Sequence, residues 1–132
     1  MARGSLYRGL GQNDKTITDC TQAISLNFQD ALAYANRGAA YSNLGKYKEA
    51  LSDCTQAIYL DPNLELAYEV RGVAWLSSGA NAEAIDDSTH AISLDPTDAV
   101  AYYCRSQAYK KTGDLARAAK DLDDAKRLGY GQ

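Results

Sequence analysis

The sequence predicts an all-α protein in which pairs of antiparallel helices stack on one another. A similar eight-residue segment recurs every 34 residues, as DCTQAISL from Asp19, DCTQAIYL from Asp53 and DSTHAISL from Asp87. Within each interval, apolar residues follow one another at helical spacing, and Gly and Pro interrupt the apolar series. A helix pair of this length cannot bury both of its faces alone, so successive repeats have to stack.

The repeat frame divides the whole chain into units of one domain, 1–132. The units are a shortened one, 1–30, which lacks the first four positions of the frame, and three full ones, 31–64, 65–98 and 99–132. No stretch of the sequence falls outside this frame. We therefore expect a continuous stack rather than separate domains.

Each unit is predicted to contain two helices. In the first full unit the first helix should end at Gly45, because Gly after the last periodic residue stops a helix. The second should end before Pro62, which cannot continue a helix. Asp30 and Asp98 stand where their side chains can cap the following helix. By the same frame, the glycines of GSLYRGLG at 4–11 fall in a helix followed by a turn.

The residues that recur in register resemble the tetratricopeptide repeat (TPR). The shared pattern is an aromatic residue at positions 4 and 11, Gly or Ser at 8, Ala at 20 and 27, and Pro near the end. In the first full unit these residues are Tyr34, Tyr41, Gly38, Ala50, Ala57 and Pro62. Departures at Thr16, Phe28 and Tyr130 fall in the terminal units, where atypical residues are expected. The resemblance implies a right-handed TPR α-solenoid.

The resemblance also implies a concave groove, lined by the first helix of each unit, that takes a peptide or helix of a partner protein. The candidate groove residues are Asn36, Ala39, Asn43, Leu66, Val70, Val73, Leu76, Val100, Tyr103, Gln107, Lys110 and Lys111. The four from the second full unit form an apolar stripe beside the face that Tyr68 and Trp75 use for packing. That stripe suits an apolar peptide anchor. Alternatively, it packs against neighbouring helices or a second copy of the protein.

Some TPR domains bind the acidic C-terminal tails of chaperones through a clamp that holds two carboxylates. Asn36 stands at the Asn position of that clamp. Leu66 and Val70, however, stand where the clamp needs Lys and Arg, and Met1 and Ser5 stand where it needs Lys and Asn. We therefore expect this chain not to recognise such a tail.

Every unit carries an Arg at its seventh position and an Asp at its twenty-third. These residues are Arg3, Arg37, Arg71 and Arg105, with Asp19, Asp53, Asp87 and Asp121. We predict a ladder of Arg–Asp pairs, within a unit or between adjacent units, that sets the stacking register.

Composition and motifs argue against catalysis, cofactors, metals, nucleic acid and membranes. The formal net charge is −3, and Lys and Arg are absent from 72–104, whereas nucleic-acid binding needs a basic surface. His90, the single His, stands where other units have Gln or Asp. The three cysteines lack metal-ligand spacing. No apolar run reaches membrane-spanning length.

The two ends of the stack are predicted to differ. Ile17, Ala23 and Ile24 should lie partly uncovered, whereas the polar sequence at 121–127 makes the last helix a solubilising cap. This asymmetry predicts self-association through the N-terminal side, or a missing upstream segment. We favour a non-catalytic peptide-binding module over two alternatives, a self-associating structural module and a regulatory part of a larger protein. The absence of a signal peptide fits a cytoplasmic protein, and equally a piece of a larger or exported one.

Overall fold

Residues 2–131 form a row of seven α-helices. The structure is a computed structural model that describes the backbone of residues 2–131 and the side chains of residues 11–131. The helices are α1 (Ala2–Leu26), α2 (Ala31–Asn43), α3 (Tyr47–Leu60), α4 (Glu65–Ser77), α5 (Asn81–Leu94), α6 (Ala99–Lys111) and α7 (Leu115–Arg127). The described residues include no β-strand, so the all-α prediction is confirmed. Among them, no helix has both the length and the hydropathy that crossing a bilayer requires.

The helices form two layers, and one layer is packed more closely than the other. Helix α2 packs on α3, α4 on α5, and α6 on α7, while α1–α2, α3–α4 and α5–α6 join successive pairs. Helices α2, α4 and α6 also contact one another in succession. Helices α3, α5 and α7 make no such contact within 2–131. The stack therefore bends towards α2, α4 and α6, and these three helices line its concave side.

Glycine ends the first helix of each full unit. Gly45, Gly79 and Gly113 have φ of 76°, 90° and 89°, a region that Gly adopts without strain. The Lys46 N–H donates to the Tyr41 carbonyl at 2.8 Å and so satisfies a carbonyl at the end of α2. This turn reverses the chain and lets α3 pack on α2.

Aspartate side chains start helices α2 and α6. The Asp30 carboxylate accepts a hydrogen bond from the Ala33 N–H, and Asp98 accepts one from the Ala101 N–H. Each bond satisfies an N–H that has no partner within its own helix. Both predicted caps are confirmed.

The shortened first unit differs from the prediction, because it is one continuous helix. Helix α1 passes through Gly11, the repeat counterpart of Gly45, without a left-handed φ. Gly costs only about 1 kcal/mol relative to Ala in a helix interior, so a single Gly does not by itself end a helix. Ile17, Ala23 and Ile24 are all partly exposed, as expected for this end of the stack.

Small side chains allow the helices of a unit to approach closely. A Cβ atom built on Gly38 would lie 2.9 Å from the Cys54 Sγ and 3.3 Å from the Ala50 carbonyl oxygen. At Gly72 the nearest atom would be the Ser88 Oγ, at 3.1 Å. The repeated alanines beside these positions are buried: Ala50, Ala57, Ala84, Ala91, Ala118 and Ala125.

One Arg in each full unit joins three helices. The Arg71 Nε and Nη2 donate to the two carboxylate oxygens of Asp87 at 2.7 and 2.9 Å, and Asp87 lies on α5 of the same unit. The Arg71 Nη1 donates to the Thr55 Oγ1 on α3 of the preceding unit, at 3.3 Å. The guanidinium carbon lies 5.9 Å from the centre of the Tyr68 ring, within cation–π range.

The same arrangement recurs along the stack. Arg37 binds Asp53 and Thr21, and Arg105 binds Asp121 and Thr89. The predicted ladder is therefore confirmed for three units. Arg3 lies outside the residues whose side chains the structure describes.

We expect Gly38→Ala to lower the free energy of unfolding by about 1–2 kcal/mol. Ala would by itself favour a helix interior by about 1 kcal/mol, but the new methyl group would overlap a buried sulfur and press on a backbone carbonyl. Urea unfolding followed by circular dichroism measures the change. Gly72→Ala, whose nearest neighbour is a hydroxyl group, should lose less. A Gly38→Ala protein as stable as the wild type would contradict this account.

We expect Arg71→Lys to destabilise the protein by about 1.5–3 kcal/mol, because an ammonium group cannot reproduce the bidentate pair together with the Thr55 bond. The control is Lys120→Ala, which removes an exposed ion pair with Asp124 and should cost at most about 0.5 kcal/mol. Both values come from denaturant unfolding. Equal losses in the two variants would show that the Arg71 contacts add nothing beyond a surface pair.

Candidate functional site

A depression of about 180 Å³ lies on the concave side between α2, α4 and α6, and we call it the central pocket. Its wall consists of Ala39, Ser42, Asn43, Glu69, Val70, Val73 and Val100. Most of this wall is apolar, and five of its members are among the candidate groove residues. The fold thus brings together residues from three different units.

Helical spacing explains the apolar part of the central pocket. Val70 and Val73 are three residues apart on α4 and so share a face. Val70 is almost fully buried and forms the floor, whereas Val73 also packs against the core around Cys104. Val100, in the first turn of α6, is 41% exposed. A ligand in the pocket would therefore contact mainly Val73, Val100 and Ala39.

The apolar stripe of α4 is divided between the pocket and the core. Leu66 packs against the buried cluster of Ala35, Ala57 and Ala67. Leu76 packs against Cys104 and neighbouring buried residues at the contact with α6. Neither leucine lines the central pocket. The two ends of the stripe thus contact neighbouring helices, and its middle faces the groove.

The groove continues towards α1 as a more polar depression of about 440 Å³. Asn36, Ala39 and Asn43 line it on the α2 side, and Asp19 and Cys20 do so on the α1 side. The Asn43 Nδ2 donates to the Asn13 Oδ1 at 3.2 Å. Asn36 thus lies in this polar depression and not in the central pocket.

The remaining candidate residues lie at the C-terminal end. The Tyr103 ring stacks on Tyr130, with 4.1 Å between ring centroids. Gln107 and Lys110 line a separate depression of about 220 Å³ that α7 closes. Lys111 is exposed at the end of α6. The structure therefore does not group these residues with the central pocket.

Three carboxylates meet beside the central pocket, and we call them the acidic cluster: Glu65, Glu69 and Asp98. Each offers an oxygen within 4.8 Å of the other two. Burial, together with the neighbouring Asp98, raises the pKa of Glu65 to about 9 and that of Glu69 to about 8. Desolvation and the clustering of like charges both disfavour the ionised form.

Sequence reasoning missed the acidic cluster as a unit. Glu65 and Asp98 are far apart along the chain, and Asp98 was predicted only as a helix cap. Two signals were present, a Glu pair at the i, i+4 spacing that shares a helix face and a long stretch without Lys or Arg. Neither signal shows where α6 begins relative to α4.

The described thiols and imidazole are not arranged for nucleophilic chemistry. Burial raises the pKa of Cys54 to about 12 and that of Cys104 to about 11, so both thiols are neutral near pH 7. His90 is exposed, as predicted, and its ring stacks flat on Tyr68 with 3.9 Å between centroids. No hydrogen bond joins His90 to a cysteine among residues 11–131.

Comparison with known proteins shows which protein family this chain resembles. Tetratricopeptide repeat models match residues 1–30, 31–64 and 89–120. A search of curated proteins found no match. The TPR domain of Arabidopsis OM64 is 34% identical, with 82% of this chain and 88% of that one covered and a TM-score of 0.73.

Two further solved structures are similar. The second TPR of Spaghetti (RPAP3), bound to HSP90 peptide SRMEEVD, is 31% identical, with 78% of this chain and 95% of that one covered and a TM-score of 0.73. MamA is 26% identical, with 95% of this chain and 73% of that one covered and a TM-score of 0.78. With two relatives above 30% identity that are covered over most of their length, and with three matched repeats, the chain belongs to the tetratricopeptide repeat family.

Proposed function

We propose that this chain is a non-catalytic protein-interaction module that binds a peptide or helix of a partner protein in its concave groove. The central pocket carries this proposal, because it presents Ala39, Val73 and Val100 to solvent on the concave face. Apolar surface held open by three helices suits one apolar anchor side chain of a ligand. The groove on either side of the pocket leaves room for the flanking residues of that ligand.

A relative that binds a peptide supports this proposal, but the residues of this chain differ from those that an acidic peptide needs. The second TPR of Spaghetti (RPAP3) is bound to the acidic HSP90 peptide SRMEEVD. In this chain Leu66 and Val70 occupy positions where the carboxylate clamp needs Lys and Arg. Among the described residues, no Lys or Arg lines the central pocket. The ligand we propose therefore has an apolar anchor and lacks an acidic C-terminal tail.

We expect Val100→Asp to weaken binding of groove peptides at least about tenfold, because it places a charge where an apolar anchor sits. A displayed library of random peptides is selected on the wild-type protein. The affinities of the enriched peptides, and of SRMEEVD as an acidic comparison, are then measured by calorimetry. Asp is tolerated in the first turn of a helix, so the variant should fold.

The matched control is Tyr59→Asp, which places the same charge on an exposed apolar residue of α3, away from the groove. It should bind the selected peptides like the wild type. Selected peptides that bind Val100→Asp undiminished, or a tight complex with SRMEEVD, would contradict the proposal. Circular dichroism of each variant separates loss of binding from loss of folding.

Self-association is the second candidate function, and exposed apolar residues at the N-terminal end favour it. Leu26, Phe28 and Leu32 are 81%, 71% and 51% exposed and lie around the turn between α1 and α2. Scattered single apolar residues are ordinary on protein surfaces, but three in one region can form a contact between copies.

If this end pairs with a second copy, the mass from light scattering should rise from 14.3 kDa towards twice that value as concentration increases. Leu32→Glu should then restore the monomer, because it buries a charge in the contact. Leu115→Glu, an exposed leucine at the opposite end, should leave the dimer intact. A monomer at every concentration would exclude this candidate and leave the peptide-binding proposal untouched.

A further inference from the structure

The geometry of the acidic cluster fits a metal ion of a particular size. Three atoms that are all within 4.8 Å of one another lie no farther than about 2.8 Å from a common centre, close to the Ca²⁺–oxygen distances of roughly 2.3–2.6 Å. Mg²⁺ needs distances of about 2.0–2.1 Å and a near-ideal octahedron. The larger and more adaptable ion therefore requires less movement of the side chains.

Two oxygens of the cluster are buried and accept no hydrogen bond from the described protein. Asp98 is only 7% exposed, and its Oδ1 accepts the cap bond from the Ala101 N–H at 3.1 Å. When all three carboxylates are ionised, the Asp98 Oδ2 and the Glu65 Oε1 have no hydrogen-bond donor among the described residues. Buried polar atoms normally have a partner, and an unpaired buried carboxylate is especially costly.

The fold does not require acidic residues at these three positions of the repeat. One unit earlier, the same three positions hold Ala31, Ala35 and Leu64, and the last two belong to an apolar cluster. The junction between the first two full units is therefore closed by apolar packing. At the junction of α4 and α6, the other charged groups that act on Glu65 and Glu69 are Asp98 and Asp95, which are also acidic.

We infer that Glu65, Glu69 and Asp98 form a binding site for a divalent cation of the calcium type at the junction of α4 and α6. The two glutamates come from one face of α4, and Asp98 comes from the start of α6. Water completes the coordination, since three carboxylates supply only part of the six to eight oxygens that Ca²⁺ takes. The bound ion links α4 to the residue that caps α6, and this role goes beyond peptide binding.

The test is calorimetric titration of the full chain with CaCl₂, together with thermal melts. We expect one saturable site and a higher Tm with Ca²⁺. Glu69→Gln should weaken Ca²⁺ binding at least about tenfold. Asp98→Asn should weaken it as well while keeping the helix cap, because Asn is an equally good N-cap residue.

The matched control is Glu49→Gln, which removes an exposed carboxylate on α3 and should bind Ca²⁺ like the wild type. Gln and Asn have nearly the same shape as the Glu and Asp that they replace, so both cluster variants should keep their helical content, which circular dichroism checks. The absence of a saturable site would overturn the inference. So would unchanged Ca²⁺ binding in the double variant Glu65→Gln, Glu69→Gln. No peptide takes part in the test, so its outcome is independent of the proposed function.

Discussion

The stack depends on a largely buried guanidinium group that is shared among three helices. Arg71 holds the Asp87 carboxylate of its own unit with a planar fork, and it reaches Thr55 of the preceding unit with its remaining nitrogen. The Asp87 side chain is only 9% exposed, so losing the Arg would leave a carboxylate with little access to water. This geometry ties the tilt of each helix pair to the position of the previous pair.

Without these hydrogen bonds, the apolar core would fix the relative positions of successive helix pairs less strictly. It consists largely of alanines and other small residues, which allow close approach but interdigitate little. Directional hydrogen bonds supply what small side chains lack, because a displaced unit would break the bond to Thr55. The concave layer follows from this register: α2, α4 and α6 meet at a spacing that leaves the central pocket open between them. The packing of the helix pairs and the shape of the groove thus both follow from the hydrogen bonds of the Arg side chains.

The sequence was sufficient wherever the repeat itself carried the information. The Arg–Asp pairs, the Asp caps and the helix-ending glycines recur at fixed positions, so they were predictable from the 34-residue frame. The frame left open whether each Arg–Asp pair lies within a unit or between adjacent units. The continuity of helix α1 was not predictable in this way, because Gly is compatible with the end of a helix and also with a helix interior. The α4 stripe was predicted only as a whole. Periodicity identifies a face but not whether Leu66 meets another helix or Val73 meets the groove.

Departures from the repeat carry the functional information that the repeat cannot. Leu64 and Ala35 close one junction by apolar contact, and Asp98 and Glu69 occupy the same positions at the next. Glu69 also lines the central pocket, so one side chain belongs to both sites proposed for this protein. A cation on the acidic cluster would hold the Glu69 side chain in place at the pocket wall, and any effect on ligand affinity must be reciprocal. The groove of this TPR domain would then respond to the ion at its edge.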